Sequence, residues 1–432
     1  MSLNYESVPN IQATDLEQAW LNFEPDVPLP PQPDGKPHPF YVLRPEDPIG
    51  SLRRRLLRPT RDPKLFFSGH RGCGKSTELL RLRVNPKIQK KFFPIFFSIR
   101  NHADIFDIDY RDILLIIGSQ MFLQLQESGE SIPNELLTEL DSWRGRVETH
   151  VTTLKQGRYS GNVDGAVGTP TVAPFFARIS GSLKIEPQLR REIRQHFGRN
   201  ITELLDILNL IGTYIYARTK RKPLVLIDDL DKLDLEFAKT IFHDRQQIMR
   251  QPAFPIIYTV SSSLFYTPEC SGLRTEAYFV PNVRIHAQGD AEQADTAGMR
   301  VMNRVLNQRL ASTLIAPEAR GELLKMCGGV FRELAHLVQI AADHAIGREA
   351  TQIALADVER ATAELRKPYF RILTAEQRSL LQAVRDTHQM VHPDKLAVLF
   401  QILAVLEYHN GDIWCDVHPA LEYLLDRLPV AE

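Results

Sequence analysis

Lys64-Leu65-Phe66-Phe67-Ser68-Gly69-His70-Arg71-Gly72-Cys73-Gly74-Lys75-Ser76-Thr77 is the stretch that decides how this chain folds. An apolar run ends in G-x-x-x-x-G-K-S, and Thr77-Glu78-Leu79-Leu80-Arg81-Leu82 continues it as a helix. Strand, glycine-rich loop and helix in that order are the Walker A pattern in its required setting. The glycines let the backbone curl so that its N–H groups point inward, and the helix N-terminus adds partial positive charge. The spacing predicts that Gly69, His70, Arg71, Gly72, Cys73, Gly74, Lys75, Ser76 and Thr77 cradle a nucleoside triphosphate, ATP. Lys75 reaches the outer phosphates, and the Ser76 hydroxyl ligates Mg²⁺.

A second stretch, Pro223-Leu224-Val225-Leu226-Ile227-Asp228-Asp229-Leu230-Asp231-Lys232, answers the first. Four apolar residues read as a buried parallel strand with carboxylates at its C-terminal end, where ligands of open α/β sheets sit. This is the Walker B pattern. Asp228 is expected to hold Mg²⁺ through its waters, and Asp229 to orient or deprotonate the attacking water. Phe254–Val260 reads as a further strand that ends in Ser261-Ser262-Ser263. A polar residue there, taken as Ser262, contacts the γ-phosphate or caps the next turn.

The bulk properties set the class. The chain has 432 residues, 43% hydrophobic and 24% charged, as in ordinary globular proteins of two or three domains. No apolar run approaches the roughly 20 residues of a membrane span. Four scattered cysteines without a C-x-x-C, and no secretory signal, predict a cytoplasmic protein. The net charge of −1 hides an asymmetry. Nine Arg and five Lys between Ser51 and Arg100 meet only Asp62 and Glu78, a net of +12. That block suits phosphates and leaves open nucleic acid, an acidic partner or a solvated face.

Taken in order, residues 1–40 form an arm with a short helix at Asp15–Phe23, its Leu16, Trp20 and Phe23 on one face, and then a proline-rich linker. It either docks elsewhere or straps its own core. Residues 41–289 are the nucleotide-binding core. Phe92–Ile99 is its second strand, an insertion near 128–186 is rich in Gly and Pro, one long helix covers Pro187–Thr219, and Tyr278–Ile285 is a late strand. Residues 290–371 read as a helical lid. In 372–432, helices precede a hairpin about Asn410-Gly411, the pattern of a winged helix. Four basic against nine acidic side chains there argue for protein rather than DNA contacts, with Tyr408 and Trp414 either anchoring an interface or filling the domain's own core.

Both Walker stretches and the lid make the chain resemble P-loop ATPases of the AAA+/STAND group. The D-D-L-D form of Asp228–Asp231 looks like STAND regulators and bacterial conflict-system ATPases, whereas Gly328–Leu334 and the hairpin look like origin-recognition-type AAA+ proteins. The resemblance implies a three-layer α/β core with a parallel sheet, a helical lid and a small winged-helix-like domain. It implies an arginine on the lid, Arg332, facing the nucleotide, and an arginine finger or a plain surface residue at Arg274. It places Tyr41 or Arg44 over the base. Asp229 stands where most AAA+ proteins have Glu, which implies slow, regulatory hydrolysis. The function implied is an ATP-hydrolysing switch, in signalling or antiviral defence, with a separate effector chain. The rival is a DNA-associated loader or transposition or replication regulator. A homo-oligomer is left open, and no membrane is implied.

Overall fold

Side chains of a strand alternate between its two faces, and here each face has its own layer of helices. In this computed structural model, β1 is Lys64–Gly69, β2 Phe92–Ser98, β3 Lys222–Asp228, β4 Ile256–Ser261 and β5 Ala277–Val280. The structure describes residues 8–44, 46–58, 62–156, 172–409 and 411–427. The five strands form one parallel sheet in the order β2-β3-β4-β1-β5. Leu65, Phe67, Phe96, Leu224, Leu226 and Ile257 point to one side, against the helices Gly50–Leu57, Lys75–Arg83 and Pro86–Lys91. Phe66, Ile95, Phe97, Val225, Ile227 and Tyr258 point to the other, against Tyr110–Glu127 and Ile201–Thr219. A sheet covered on both faces reads as unbroken apolar runs, which is why Leu224–Ile227 was legible as a strand. The architecture is the three-layer α/β core that the sequence predicts.

Three elements differ from expectation. The stretch 128–186 contains helices, Asn134–His150, Thr152–Gln156 and Val172–Ser182. Its glycines at 157, 161, 165 and 168, with Pro170, lie outside the described residues. The long helix expected over 187–219 is two, Pro187–Arg199 and Ile201–Thr219. They part at Asn200, whose backbone leaves the helical region (φ −125°, ψ 38°) while its side-chain amide donates to the His196 carbonyl. A side-chain bond of this kind competes with helix propagation. The late strand stops at Val280, because Pro281 has no N–H to offer a ladder.

The lid is built from Thr296–Arg309, Pro317–Met326, Phe331–Gly347 and Leu355–Ile372, which share a core of Leu306, Leu323, Leu337 and Val338. The N-terminal helix Leu16–Asn22 packs into the same core through Leu16 and Ala19, joined by Phe23 just beyond its end. Trp20 was expected to join them and is instead 38% exposed. The arm therefore belongs to the lid, and Ala13 bridges to Leu310 beside it. A short pair, β6 (His286–Ala287) and β7 (Asp290–Ala294), precedes the lid. At the C-terminus the helices Ala375–Thr387 and Pro393–Gln401 precede an antiparallel hairpin, β8 (Val405–His409) and β9 (Ile413–Val417). Its turn residue Asn410 lies outside the described residues.

The insertion is anchored by one side chain. Trp143 is fully buried, its ring 5.6 Å from Phe175, 5.9 Å from Phe176 and 6.2 Å from Phe197. Trp143→Ala is expected to destabilise the protein by about 3–5 kcal/mol, because a large buried aromatic leaves a cavity. Urea denaturation checks this, and a loss below 1 kcal/mol would contradict the packing described.

Candidate nucleotide site

Parallel pairing brings the chemistry-bearing strand ends to one edge of the sheet. Gly69 at the end of β1 lies opposite Ser261 of β4, and Ser98 of β2 opposite Asp228 of β3. A cleft of about 530 Å³ opens there, lined by Gly72, Gly74, Lys75, Ser76 and Thr77 of the phosphate loop, by Asp228, Asp229 and Asp231, and by the lid residues Phe331 and Arg332. The loop's shape requires glycine at two points. Gly72 (φ 81°) would place a Cβ 2.4 Å from the Arg332 Cβ, and Gly74 (φ 95°) would place one 2.8 Å from Arg44 Nη2.

The ammonium of Lys75 is buried. It donates to the carbonyls of Gly69 (2.9 Å) and His70 (2.8 Å) and pairs with Asp231 at 2.8 Å. Burial alone would lower its pKa, but the Asp231 carboxylate outweighs it and holds the group above its ordinary value. The converse holds at Asp231, where burial opposes ionisation and Lys75 overrides it, so its pKa is lowered. The third acid of D-D-L-D, and not the second, is thus the partner of the phosphate-loop lysine. The strand-plus-acids pattern did not single it out.

Asp228 and Asp229 differ sharply. Asp228 is buried, and burial first, then the neighbouring Asp229 and Asp231, push its carboxyl up to about 7; the Ser76 hydroxyl bonded to it works the other way. Asp229 sits in the left-handed region (φ 66°), which Asp tolerates better than most residues. Its carboxylate accepts from the Ser98 hydroxyl and pairs with Lys232 at 2.7 Å. One oxygen from each of Asp228, Asp229 and Asp231 falls within 4.8 Å of the others. An all-oxygen set with the Ser76 hydroxyl beside it has the chemistry Mg²⁺ takes, so Ser76 and Asp228 fit the metal role.

The other predicted residues divide. Arg332 lines the cleft; its backbone N–H donates to the Gly72 carbonyl (3.3 Å) and its guanidinium meets Asp26 at 3.1 Å. Thr77 accepts from the Leu29 N–H, so residues 24–29 of the arm pass over the cleft. Arg44 also lines the cleft, where it donates to the carbonyls of Cys73 and Pro281 and braces the phosphate loop. Tyr41 donates to Glu78 and stands in the cleft wall. Five of the residues weighed in the sequence turn elsewhere. Ser262 is buried on the turn after β4 and does not line the cleft, and Ser261 spends its hydroxyl on Ser263. Arg274 donates to the Phe265 carbonyl of its own chain. Cys73 is buried in the layer behind the loop. His70 points away from the cleft, and burial pushes its imidazole down to about 4, so it is neutral near pH 7. Tyr408 and Trp414 are buried too, packed with Val330 of the lid, so neither anchors an exposed interface or serves only its own domain.

Comparison with known proteins gives likeness in solved structures alone; no family model and no curated protein matches the chain. The Aeropyrum pernix ORC2 protein, in ADPNP–ADP complexes, is 13% identical, with 94% of each chain covered and a TM-score of 0.41. Drosophila ORC bound to DNA is 12% identical, covers 99% of this chain and 94% of that one, and has a TM-score of 0.41. Cdc6p from Pyrobaculum aerophilum is 9% identical over 88% of this chain and 91% of that one, with a TM-score of 0.37.

The buried pair yields a stability test. Lys75→Met leaves Asp231 buried without its counter-charge and is expected to cost about 3–5 kcal/mol in the nucleotide-free protein. In the wild type, Asp231 has a lowered pKa, so its contribution is present above the unfolded value and lost as pH falls through the folded one. In the variant the sign reverses, since protonation relieves a stranded carboxylate. The deficit should shrink between pH 7 and pH 5 in thermal melts; a deficit that grows on acidification would contradict the pairing.

Proposed function

We propose that this protein binds and hydrolyses ATP between its α/β core and its lid, and that it works as a nucleotide-dependent switch. The observation that carries this reading is the convergence of the phosphate loop, the three carboxylates and Arg332 on one cleft, from segments more than 100 residues apart in sequence. Loop N–H groups and the Lys75 ammonium suit the phosphates, and Arg332 supplies a further positive charge from the lid. Bound Mg²⁺ would neutralise phosphate charge beside Ser76 and Asp228. Asp229 is the residue to orient the attacking water, with Ser98 and Lys232 fixing its carboxylate. Asp231 has the separate task of holding Lys75 until phosphate competes for it. Because Arg332 links lid to loop, and its guanidinium meets Asp26 of the arm, a change in the phosphates alters both contacts.

Asp229→Asn is expected to retain ATP·Mg²⁺ binding and to lose turnover on the order of 10²–10⁴-fold, the range for a missing catalytic base. Phosphate release under saturating ATP measures it. Wild-type turnover in Asp229→Asn, with turnover lost in Asp231→Asn, would move the role to Asp231.

Association with nucleic acid is the second reading, favoured by one surface. The helices Gly50–Leu57 and Pro86–Lys91 pack together, and Arg54, Arg58, Lys87 and Lys90 stand exposed on or beside them. Arg54→Glu with Lys87→Glu and Lys90→Glu should abolish duplex binding that weakens with salt. Unchanged binding by the triple variant would remove this surface from consideration.

A further inference from the structure

The phosphate loop has a second side, which faces away from the cleft. β8 pairs with β9 along one edge, and its other edge meets the core. An edge strand carries unpaired N–H and C=O groups that must find partners when buried. At Glu407 both outward groups are satisfied by core side chains 125 or more residues away. The Glu407 N–H donates to His70 Nε2 at 2.9 Å, and the Glu407 carbonyl accepts from Asn282 Nδ2 at 3.2 Å. His70 lies within the phosphate loop, two residues before Gly72, and its carbonyl accepts from Lys75 Nζ. Its ring also packs against Phe400, 5.6 Å between centroids. Asn282 follows Pro281, whose carbonyl takes the same Arg44 guanidinium that braces Cys73.

The hairpin's second attachment is to the lid. Tyr408 donates its hydroxyl to the Gly328 carbonyl at 2.8 Å, and Leu406, Tyr408 and Trp414 pack on Val330. Gly328 is fitted so closely that a Cβ there would stand 2.4 Å from Leu406 Cδ1. The hairpin therefore bridges the phosphate loop on one side and the lid on the other, although none of its described residues lines the cleft.

We infer that His70 is a positioning residue of the nucleotide site: by accepting the Glu407 N–H it makes the docked C-terminal hairpin part of the phosphate loop's support, so that nucleotide affinity and hairpin docking are coupled. The inference rests on the nucleotide reading above and adds a regulatory input to it. Docking pre-organises the loop, which lowers the ordering cost of binding phosphate. Thermodynamic reciprocity then requires ATP to tighten docking by the factor by which docking tightens ATP. Anything that draws the hairpin away would discharge nucleotide from a site it never touches.

The test uses the full chain, with ATP·Mg²⁺ titrated by calorimetry and amide hydrogen exchange followed over 405–409. H70L removes the acceptor and strands a buried N–H. It should weaken ATP roughly tenfold, the ratio that corresponds to losing one buried hydrogen-bond partner, and speed exchange at Glu407. H70Q keeps an acceptor near the position of Nε2 and should restore both. Y408F, remote from the cleft, should speed exchange and weaken ATP about threefold to tenfold by loosening the hairpin alone. In the wild type, saturating ATP·Mg²⁺ should slow exchange over 405–409. The coupling is overturned if wild-type protein binds ATP while H70L or Y408F loosens the hairpin with affinity unchanged. Should H70L fail to fold, Y408F decides by itself. Wild-type protein that binds no nucleotide would overturn the site reading beneath the inference as well.

Discussion

Parallel strands that end along one edge of the sheet are the constraint on which the rest of this molecule depends. The β1–β4 and β2–β3 registers set Gly69 beside Ser261 and Ser98 beside Asp228, and the β3–β4 register brings both pairs to the C-terminal edge of the sheet, with Asp228 about two residues short of Ser261. With β4 between β3 and β1, the carboxylates after β3 lie across from the loop after β1. The buried Lys75–Asp231 pair spans that gap. A one-residue slip of β3 would turn Leu224 and Leu226 from one apolar layer into the other and carry the acids out of reach. Core packing thus enforces the geometry of the site.

Three surfaces close on that edge. The lid contributes Arg332 and Phe331, the N-terminal arm lays residues 24–29 across the opening, and the C-terminal hairpin seats against the loop from behind. Each attachment uses a backbone group of the phosphate loop or a side chain one step removed from it. The Gly72 carbonyl accepts from Arg332, the Cys73 carbonyl from Arg44, and His70 from Glu407. A loop whose N–H groups are aimed inward has its carbonyls and outward side chains free to be gripped from outside. In this protein that grip comes from Arg44, from the lid and from the C-terminal hairpin.

Much of the core was legible beforehand, for physical reasons tied to particular residues. Leu224–Ile227 and Phe92–Phe97 are buried on both faces, so their apolar runs survive as a local signal. Gly411 follows β8 at the hairpin turn, so that end was marked by local chemistry. The insertion was not legible as helix. Trp143, Phe175, Phe176 and Phe197 cluster across three separate helices, and no single window shows the pattern. The Ser262 assignment rested on its place after a strand. One residue further along, the backbone enters a tight turn that buries the hydroxyl instead of presenting it.

The sequence by itself determined the phosphate loop, the strand with its three acids, the order of core, lid and C-terminal hairpin, and the residue types suited to a nucleotide and Mg²⁺. The first two follow from spacing within about a dozen residues, over which backbone geometry is nearly fixed. Only the tertiary structure decided which acid pairs with Lys75, where His70 points, and what Tyr408 and Trp414 cover. Those outcomes turn on contacts between residues from 80 to 337 positions apart, between the lid, the loop and the hairpin. Of the acids in the C-terminal segment, Asp386, Asp394 and Asp412 stay exposed, whereas Glu407 is buried where the backbone groups of its edge strand find partners in the core.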